Sequence, residues 1–444
     1  MGNASMNKVP RGWNVKTVEQ VFDFYPTASY SRDKQIPQES SESAIKYIHY
    51  GDIHTQYNML LDATNTKIPL ISQELKKDFE LVKNGDLIIA DTSEDYDGVG
   101  KCVEVVNVGD NEIISGLHTL MLRQKGNDFI EGFKGYFFSA DIVRRELLRI
   151  VTGIKVYSIT KATLAKVDLT IPSPQEQRAM MRFLSKVDEA ITSVQNSIAT
   201  AERLKKSLMQ NLLTGKMKPD GTFRTPREFY IDEKFGKVPV GWEVKRGTEI
   251  TTKITKGQSP KWQGFDYQQA GILFVTSENI QNGYIDISKP KYLPLEFNNK
   301  IKNSQLKKGD ILINIVGASI GRCAIFNIDV ECANTNQAVC VFRPNLENDS
   351  MFLSLYLQSE TTQNRLFRTQ VETARANLSL GDFRKFKFVI PQKEEQINIA
   401  NRISQFNIEI EKQVERINVL ERLKKSLMQT LLTGKIKIGD RIWL

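Results

Sequence analysis

Arginine and side-chain amides cluster in loops of the second half of the chain. Residues 316–322 are rich in small side chains, which let a backbone approach a partner closely, and Arg322 could pair with a phosphate or a guanine. Residues 334–337 carry amides, the groups that bond adenine bidentately. The candidates for such contacts in this half are Lys256, Gln258, Lys261, Trp262, Gly317, Ser319, Arg322, Asn334, Asn336, Gln337, Arg375 and Asn377.

The corresponding stretches of the first half have different chemistry. They lie at residues 91–96, 115–118 and 155–158. Their candidate contact residues are Thr92, Ser93, Tyr96, Lys101, Ser115, His118, Lys155 and Tyr157. For any single residue, a solvated turn is the alternative interpretation. The change of chemistry across all equivalent loops indicates two recognition surfaces with different targets.

Motifs for catalysis are weak in this sequence. A methyltransferase that acts on DNA bases would need a Gly-rich loop, and an acidic residue or Asn before Pro-Pro-aromatic. Neither motif occurs in the sequence. The P-loop, G-x-S-x-G and H-E-x-x-H motifs of other enzyme classes are also missing. One fragment resembles a metal-dependent nuclease: Asp220, followed by Asp232, Glu233 and Lys234, could hold Mg²⁺ and orient a water. This pattern is short and degenerate. A metal-dependent nuclease therefore stays only as an alternative.

An internal repeat organises the elements that must position these loops. Residues 202–218 and 421–437 are identical at fifteen of seventeen positions, at an offset of 219 in 444 residues. The similarity continues upstream more weakly. Each repeat has a divergent body of about 155 residues and a nearly constant tail of about 45. The expected domains are 1–172 (first body), 173–216 (first spacer helix), 217–237 (linker), 238–391 (second body), 392–435 (second spacer helix) and 436–444 (C-terminal tail).

The constant tails have the periodicity of long helices. Apolar residues recur at steps of three and four, and prolines precede both tails. Gly215 and Gly434 mark the ends. The narrow apolar seam predicts that the two helices pack on each other. The alternative is that each helix packs only on its own body.

The divergent bodies are predicted to be mixed α/β. Apolar and β-branched runs predict strands at 46–50, 86–89 and 103–106 in the first body, and at 273–275, 311–316 and 338–342 in the second. Short helices are expected at 129–148 and 350–368.

Composition fits a cytoplasmic protein with a polyanionic partner. The chain is 40% hydrophobic and 25% charged, with a net charge of +9. No apolar run approaches the roughly 18 residues of a membrane span. The four cysteines lie at no metal-ligand spacing, which predicts reduced thiols.

Several motifs together resemble the specificity subunits of type I restriction–modification enzymes. They are I-P-x-x-x-E-Q at 171–177 with its counterpart at 390–396, the two L-K-K-S-L-M-Q-x-L-L-T-G-K endings, V-P-V-G-W-E-V at 238–244, G-D-I-L-I at 309–313, G-A-S-I-G-R at 317–322, Asn336-Gln337 and Asn377-Leu378-Ser379. The resemblance covers essentially the whole chain. The first body departs from the small-residue loop and has no Asn-Gln pair, so its contacts carry over poorly.

The resemblance implies an α+β fold: two mixed α/β target-recognition domains separated by two long antiparallel coiled-coil helices, with pseudo-twofold symmetry. Each domain would bind one half of a bipartite site in double-stranded DNA. The helices would set the spacing and dock two methyltransferase subunits, which bind adenosylmethionine and methylate adenine. Restriction subunits, using ATP and Mg²⁺, would join them. The chain itself would catalyse nothing and bind no cofactor.

The residues expected to form the spacer and the docking surface come from the constant tails. They are Glu176, Gln177, Leu204, Leu208, Leu212, Glu395, Gln396, Leu423, Leu427 and Leu431. A different class of function remains open beside this one: the helices could form a dimerisation scaffold without DNA specificity.

Overall fold

Each of the two long helices is shared between two compact units. The computed structural model describes residues 9–38, 44–373 and 377–434, with the backbone alone for 369–373. The predicted tail, 436–444, lies outside the described residues. The chain divides into a first unit, Met1–Val194 with Arg416–Leu444, and a second unit, Gln195–Glu415. Within the described ranges, no helix is long and apolar enough to cross a membrane.

The first body is a mixed α/β structure built on two main sheets. Its described elements are β1 (Asn14–Thr17), α1 (Val18–Val21), β2 (Phe22–Tyr25), β3 (Gln35–Ile36), β4 (Ala44–Ile48), α2 (Tyr50–Thr55), β5 (Leu60–Asp62), β6 (Leu70–Ser72), β7 (Leu87–Ala90), β8 (Thr92–Ser93), β9 (Cys102–Val106), β10 (Ile113–Ser115), β11 (Thr119–Gln124), α3 (Phe133–Ser139), α4 (Asp141–Arg149), β12 (Tyr157–Ser158), α5 (Lys161–Ala165) and β13 (Asp168–Ile171). One sheet has the order β2-β11-β7-β9-β5 and the other β10-β4-β6-β3. The long helix α6 (Pro174–Leu213) follows.

The second body repeats this plan. Its elements, together with those of the segment before it, are β14 (Phe229–Asp232), β15 (Gly236–Pro239), β16 (Glu243–Arg246), α7 (Gly247–Ile250), β17 (Thr251–Lys256), β18 (Ile272–Val275), β19 (Tyr292–Leu293), α8 (Leu295–Lys300), β20 (Ile311–Asn314), β21 (Cys323–Ile325), β22 (Ala333–Thr335), β23 (Val339–Pro344), α9 (Ser350–Gln358), α10 (Glu360–Thr373), α11 (Leu380–Lys385) and β24 (Lys387–Ile390). Its sheets have the orders β17-β23-β20-β21 and β19-β18-β22. The second long helix, α12 (Lys393–Leu431), follows.

One fully buried strand in each body separates two apolar cores. In β7, Leu87 contributes to the core that contains Trp13 and α3, whereas its neighbour Ile88 contributes to the core on the opposite face. Ile311 and Leu312 of β20 divide between two cores in the same way. Successive side chains of a strand point to opposite faces, so an uninterrupted apolar run is buried on both. The predicted strands at 86–89 and 311–316 are thus central strands.

A buried ion pair precedes the central strand in both bodies. The carboxylate of Asp86 accepts hydrogen bonds from Nε and Nη2 of Arg123, at 2.9 and 2.7 Å. Asp310 accepts from the same two atoms of Arg343, at 2.6 and 2.7 Å. Both aspartates are 1% exposed, and their hydrogen bonds raise the pKa of each arginine. The repeat therefore preserves internal charge pairing while the loops diverge.

The two long helices confirm the periodicity-based prediction, and their ends explain why the repeated sequence contains glycine. Gly215 and Gly434 follow the helices with φ of +68° and +66°. A Cβ at either glycine would lie 2.3 Å from a proline Cγ, of Pro239 and Pro10 respectively. Left-handed backbone and close packing therefore both exclude larger residues.

Each unit joins the start of one long helix with the end of the other. In the first unit, Nζ of Lys424 in α12 lies 2.6 Å from Oδ1 of Asp188 in α6, and Met428 is buried in the core of the first body. In the second unit, Leu212 of α6 and Ile399 of α12 share one core. The segments that meet have antiparallel order, as expected. The alternative in which each helix packs only on its own body is wrong.

A buried glutamine attaches the first turn of each long helix to the body before it. Oε1 of Gln177 accepts from the Ile130 N–H at 2.9 Å, and its Nε2 donates to the carbonyls of Asp128 and Pro172, at 2.7 and 2.8 Å. The two glutamines are 0% and 1% exposed.

Gln396 repeats this arrangement. Its Oε1 accepts from the Asp349 N–H at 2.9 Å, and its Nε2 donates to Asn348 Oδ1 at 3.0 Å and to the Pro391 carbonyl at 2.9 Å. We name the side-chain contacts of Gln177 and Gln396 the helix brackets.

The predicted linker contains regular structure. Strands β14 and β15 pair as a hairpin, with Tyr230 opposite Val238. Arg224 donates to the Gly215 carbonyl at 2.8 Å and forms an ion pair with Glu395 of α12. Segment 217–237 therefore contains regular structure and contacts α12 within the second unit.

Replacing Gln177 by leucine should reduce the free energy of unfolding by at least about 2 kcal/mol, because one buried N–H and two carbonyls lose their partner. Chemical denaturation of the full chain measures this. Gln429→Leu, at an exposed position of α12, is the matched control. Equal stability of the two variants would show that the helix bracket contributes nothing.

Candidate nucleic-acid interface

The loop between β20 and β21 presents Arg322 on a tightly bonded frame. Asn314 N–H donates to the Arg322 carbonyl, and Gly321 N–H donates to the Asn314 carbonyl, both at 2.9 Å. The buried Asn314 amide also donates to Ser319 Oγ at 3.0 Å. Gly317 and Gly321 have φ of +85° and +84°, so glycine is needed at both turns. Arg322 is exposed and donates to Gln281 Oε1 at 3.1 Å.

A second loop joins the candidate surface through backbone contact. Gly257 N–H donates to the Asn336 carbonyl at 3.1 Å. A Cβ at Gly257 would lie 1.7 Å from the Thr335 carbonyl oxygen, so the two loops cross at a distance that only glycine allows. Beyond this crossing, Gln263 donates to Gln258 at 2.6 Å. Residues 256–263 therefore lie beside the loop that carries Asn336 and Gln337.

Most predicted contact residues of the second body lie on its surface. Those exposed are Lys256, Gln258, Lys261, Trp262, Gly317, Arg322, Gln337 and Asn377, and those half-buried are Ser319 and Asn336. Trp262 is 85% exposed. Asn377 adjoins the Arg322 loop, because Leu378 N–H donates to the Ile315 carbonyl at 3.1 Å. Arg375 lies outside the described residues.

Asn334 requires a correction. Its side chain is 0% exposed. Nδ2 donates to Asn298 Oδ1 and the Ile301 carbonyl, at 3.0 and 2.9 Å, while Oδ1 accepts from Ser304 at 2.7 Å. The amide is used entirely within the body, so it supports the loop before Asn336 and cannot contact a base.

The first body gathers a different set of side chains at its equivalent loops. The Thr92 hydroxyl donates to Asp91 at 2.7 Å and lies 3.3 Å from His118 Nδ1. Strand β12 pairs with β8, which places Tyr157 against Tyr96 with ring centroids 5.4 Å apart. Lys101, Lys155, Tyr96 and His118 are exposed, and Thr92 and Tyr157 are half-buried.

Two predicted contacts of the first body are corrected by burial. Ser115 is 2% exposed, with its hydroxyl 2.8 Å from that of Thr119. Ser93 is 5% exposed, and its hydroxyl accepts from the Asp95 N–H at 3.2 Å. Both hydroxyls are used by neighbouring groups of the first body, as short polar side chains often are in turns.

Tyr50 and two further histidines form a cluster that the sequence interpretation missed. The Tyr50 ring lies 4.6 Å from the His49 ring, 5.8 Å from that of His54 and 5.2 Å from that of His118. The chain has three histidines in all, so every one of them contacts Tyr50. The available signal was position: His49 directly follows β4, and His118 follows β10 by three residues.

His118 is also strained, with φ of +54°. Non-glycine residues in this region are uncommon and concentrate at functional sites. His118 Nδ1 lies 3.5 Å from Asp91 Oδ1.

The predicted spacer and docking residues differ in their exposure. Leu204 and Leu423 are 54% and 46% exposed. Leu208 and Leu427 are half-buried against the cores, and Leu212 and Leu431 are buried in them. Gln177 and Gln396 form the helix brackets. Because both glutamine side chains are buried, they offer no exposed surface to a partner.

The two glutamates of the same motif have local roles. Glu176 accepts from the Ser173 N–H at 3.3 Å, and its own N–H donates to the Ser173 hydroxyl at 3.4 Å, which forms a capping box at the start of α6. Glu395 accepts from Trp242 Nε1 at 3.2 Å besides its pairing with Arg224. Both therefore stabilise the starts of the long helices.

The nuclease-like fragment has its carboxylates engaged in turns. Asp220 accepts from Thr222 N–H at 2.8 Å, and Asp232 accepts from the N–H groups of Lys234 and Phe235, at 2.8 and 2.9 Å. Across the described part of the chain, no three His, Cys, Asp or Glu side chains gather as metal ligands would.

The sequence of this chain is similar to that of a known protein family. The family model described as the type I restriction modification DNA specificity domain matches residues 10–203 and 239–422. The two matches cover most of the chain, one for each repeat.

The chain belongs to this family. The two matched stretches are its DNA-recognition domains, and its role in a type I restriction–modification system is recognition rather than catalysis.

Named relatives agree with this assignment. The type I restriction enzyme MjaVIII specificity subunit of Methanocaldococcus jannaschii is 24% identical over 439 residues, covering 98% of this chain and 95% of the relative. The EcoBI specificity subunit of Escherichia coli is 28% identical over 296 residues, covering 63% and 60%. A solved chain from work on "complex assembly" and "conformational transition of the type I R-M system" has the same fold, with TM-score 0.60, 18% identity and coverage of 97% and 100%.

Stability of the first recognition domain should fall in mild acid because of His49. Burial, followed by the charges of Arg32 and His118, lowers the pKa of His49 from 6.5 to about 4. The unfolded chain therefore binds a proton that the folded chain excludes, so stability present above pH 6.5 is lost as pH falls towards 4.

We expect His49→Asn to remove about 2 to 3 kcal/mol of this pH dependence while keeping an acceptor for the Gly51 N–H. Denaturation at pH 7, 5.5 and 4 measures it. Thr55→Ala, at the end of the short helix that His49 caps, is the control. An unchanged slope in His49→Asn would contradict the assignment.

Proposed function

We propose that the chain recognises a bipartite DNA site, with the first body on one half-site and the second body on the other. One observation carries the proposal: the same framework presents different exposed side chains in its two copies. Tyr96 and His118 occupy in the first body the loops that carry Arg322 and Gln337 in the second. A retained scaffold with changed contact groups suits two different base sequences. The net charge of +9 suits the phosphates of both.

The long helices act as the spacer between the half-sites and as the docking surface for two methyltransferase subunits. Leu204 and Leu423 support this role, because they are equivalent in the repeat and exposed to a similar extent. Equal apolar positions on equal helices suit two identical partners. In the complex, those partners bind adenosylmethionine and methylate adenine after flipping it. Restriction subunits that use ATP and Mg²⁺ complete the assembly.

A four-residue insertion at the centre of α6, with its equivalent in α12, should lengthen the gap between half-sites by about two base pairs. Four helical residues add about 6 Å, and one base pair rises about 3.4 Å. Sequencing the DNA selected by the full complex measures the gap. Ser207→Ala with Ser426→Ala, which keeps the helix length, is the control. Altered half-site sequences at an unchanged gap would overturn the spacer role.

Replacing residues 1–172 with the first body of another family member should change one half-site and preserve the other. The second body keeps its own framework and loops, so its base preference is retained. The same selection experiment reports both half-sites at once. The reciprocal replacement of residues 238–391 should change the other half-site. A change in both half-sites from either exchange would contradict separate recognition.

A further inference from the structure

An equivalent side chain supports the recognition loop in each body, although the two residues differ. Parallel pairing aligns the bodies, because Ser115 lies opposite Ile48 in the first and Thr335 lies opposite Val275 in the second. His54 lies six residues after Ile48, and Gln281 lies six residues after Val275. His54 Nε2 lies 3.1 Å from the Thr92 carbonyl. Gln281 Oε1 accepts from Arg322 Nη1 at 3.1 Å.

A hydrogen bond from Nε2 of Gln281 sets the orientation of its side-chain amide. Nε2 donates to the Glu278 carbonyl at 3.0 Å, which directs Oε1 towards Arg322. The Glu278 carboxylate is itself paired with Lys291 at 2.6 Å. Arg322 is therefore held by a neutral oxygen and keeps its full charge for a partner.

The backbone of Arg322 is equally constrained. Its N–H donates to the Ser319 carbonyl at 3.2 Å, and its carbonyl accepts from the Asn314 N–H at 2.9 Å. Asn314 also donates its amide to the Ser277 carbonyl at 2.9 Å, which ties the Arg322 loop to the segment that carries Gln281. The backbone bonds and the single bond from Nη1 therefore hold Arg322 against the same two segments.

We propose that Arg322 pairs with a guanine in the half-site of the second body, and that Gln281 is its positioning residue. A bidentate bond to guanine O6 and N7 requires a fixed guanidinium plane, whereas a phosphate accepts a cation from many directions. The exposed small residues Gly317 and Ala318 leave room for a base edge beside the arginine. The inference rests on the proposed function; it identifies guanine as the base and Gln281 as the residue that positions Arg322.

The test measures base preference and salt dependence for the full chain with the subunits that co-purify with it. DNA duplexes carry the selected site, or that site with one base pair changed in the half-site of the second body. Gln281→Leu, which has similar size and no acceptor, should lose about tenfold or more in discrimination at one G·C pair, with the salt slope unchanged. Arg322→Lys should lose discrimination at the same pair.

Gln281→Met separates positioning from packing. Methionine keeps the length of the side chain but lacks the acceptor for Arg322, so base discrimination should fall as it does in Gln281→Leu; retained discrimination in Gln281→Met would show that Gln281 acts only through packing. His54→Ala, the equivalent change in the first body, is the matched control and should leave this base pair unaffected.

Two outcomes overturn the inference while leaving the proposed function intact. Arg322 contacts a phosphate if Gln281→Leu and Arg322→Lys weaken all duplexes equally. The same conclusion follows if Arg322→Ala lowers the salt slope by about one without changing base preference. If discrimination is lost at a different pair for each residue, Gln281 does not act through Arg322. Failure of the unmodified complex to prefer any bipartite site would instead refute the proposed function itself.

Discussion

The buried amide at the start of each long helix is the interaction on which the rest of the structure depends. Gln177 and Gln396 each join three groups: the first helical turn, the proline before it and the loop that follows β11 in the first body or β23 in the second. Three hydrogen bonds from one rigid amide leave little freedom for a helix to rotate against its body. A body can therefore change its loops without changing the direction in which its helix leaves.

The two repeats have diverged in a way that this constraint explains. The paired aspartate and arginine below each central strand, the glycines after each long helix and the helix brackets recur in both copies. They are buried or conformationally restricted, and any substitution would disturb packing or leave a polar group unpaired. The exposed side chains of the loops, such as Arg322 and Gln337, face outward and bear no such requirement. Selection for different DNA sequences could act there alone.

The long helices and central strands were predictable because their signals are local. A heptad-like seam specifies a helix, and an uninterrupted apolar run such as Leu87–Ala90 specifies a buried strand, whatever surrounds it. The hairpin of β14 and β15 was missed because its two four-residue strands lie in a segment whose Asp-Gly, Thr-Pro and glycine residues are typical of a linker.

The candidate site was only partly predictable, because burial of a polar side chain depends on tertiary partners. Asn334 and Asn336 are identical in type and two residues apart, yet the first is consumed by Asn298, Ser304 and Ile301 while the second is half-exposed. His54 and Gln281 carry no local pattern at all. The equivalence of His54 and Gln281 is visible only when the paired strands of the two bodies are compared.

Methylome sequencing of the host, with and without the gene for this chain, tests the central claim most directly. The account predicts that loss of the gene removes methylated adenines from one class of sites, each made of two defined half-sites separated by a fixed gap. Restoring the gene should bring them back. Methylation that is unchanged by the deletion, or that is lost from a single continuous motif, would contradict recognition by two separate bodies.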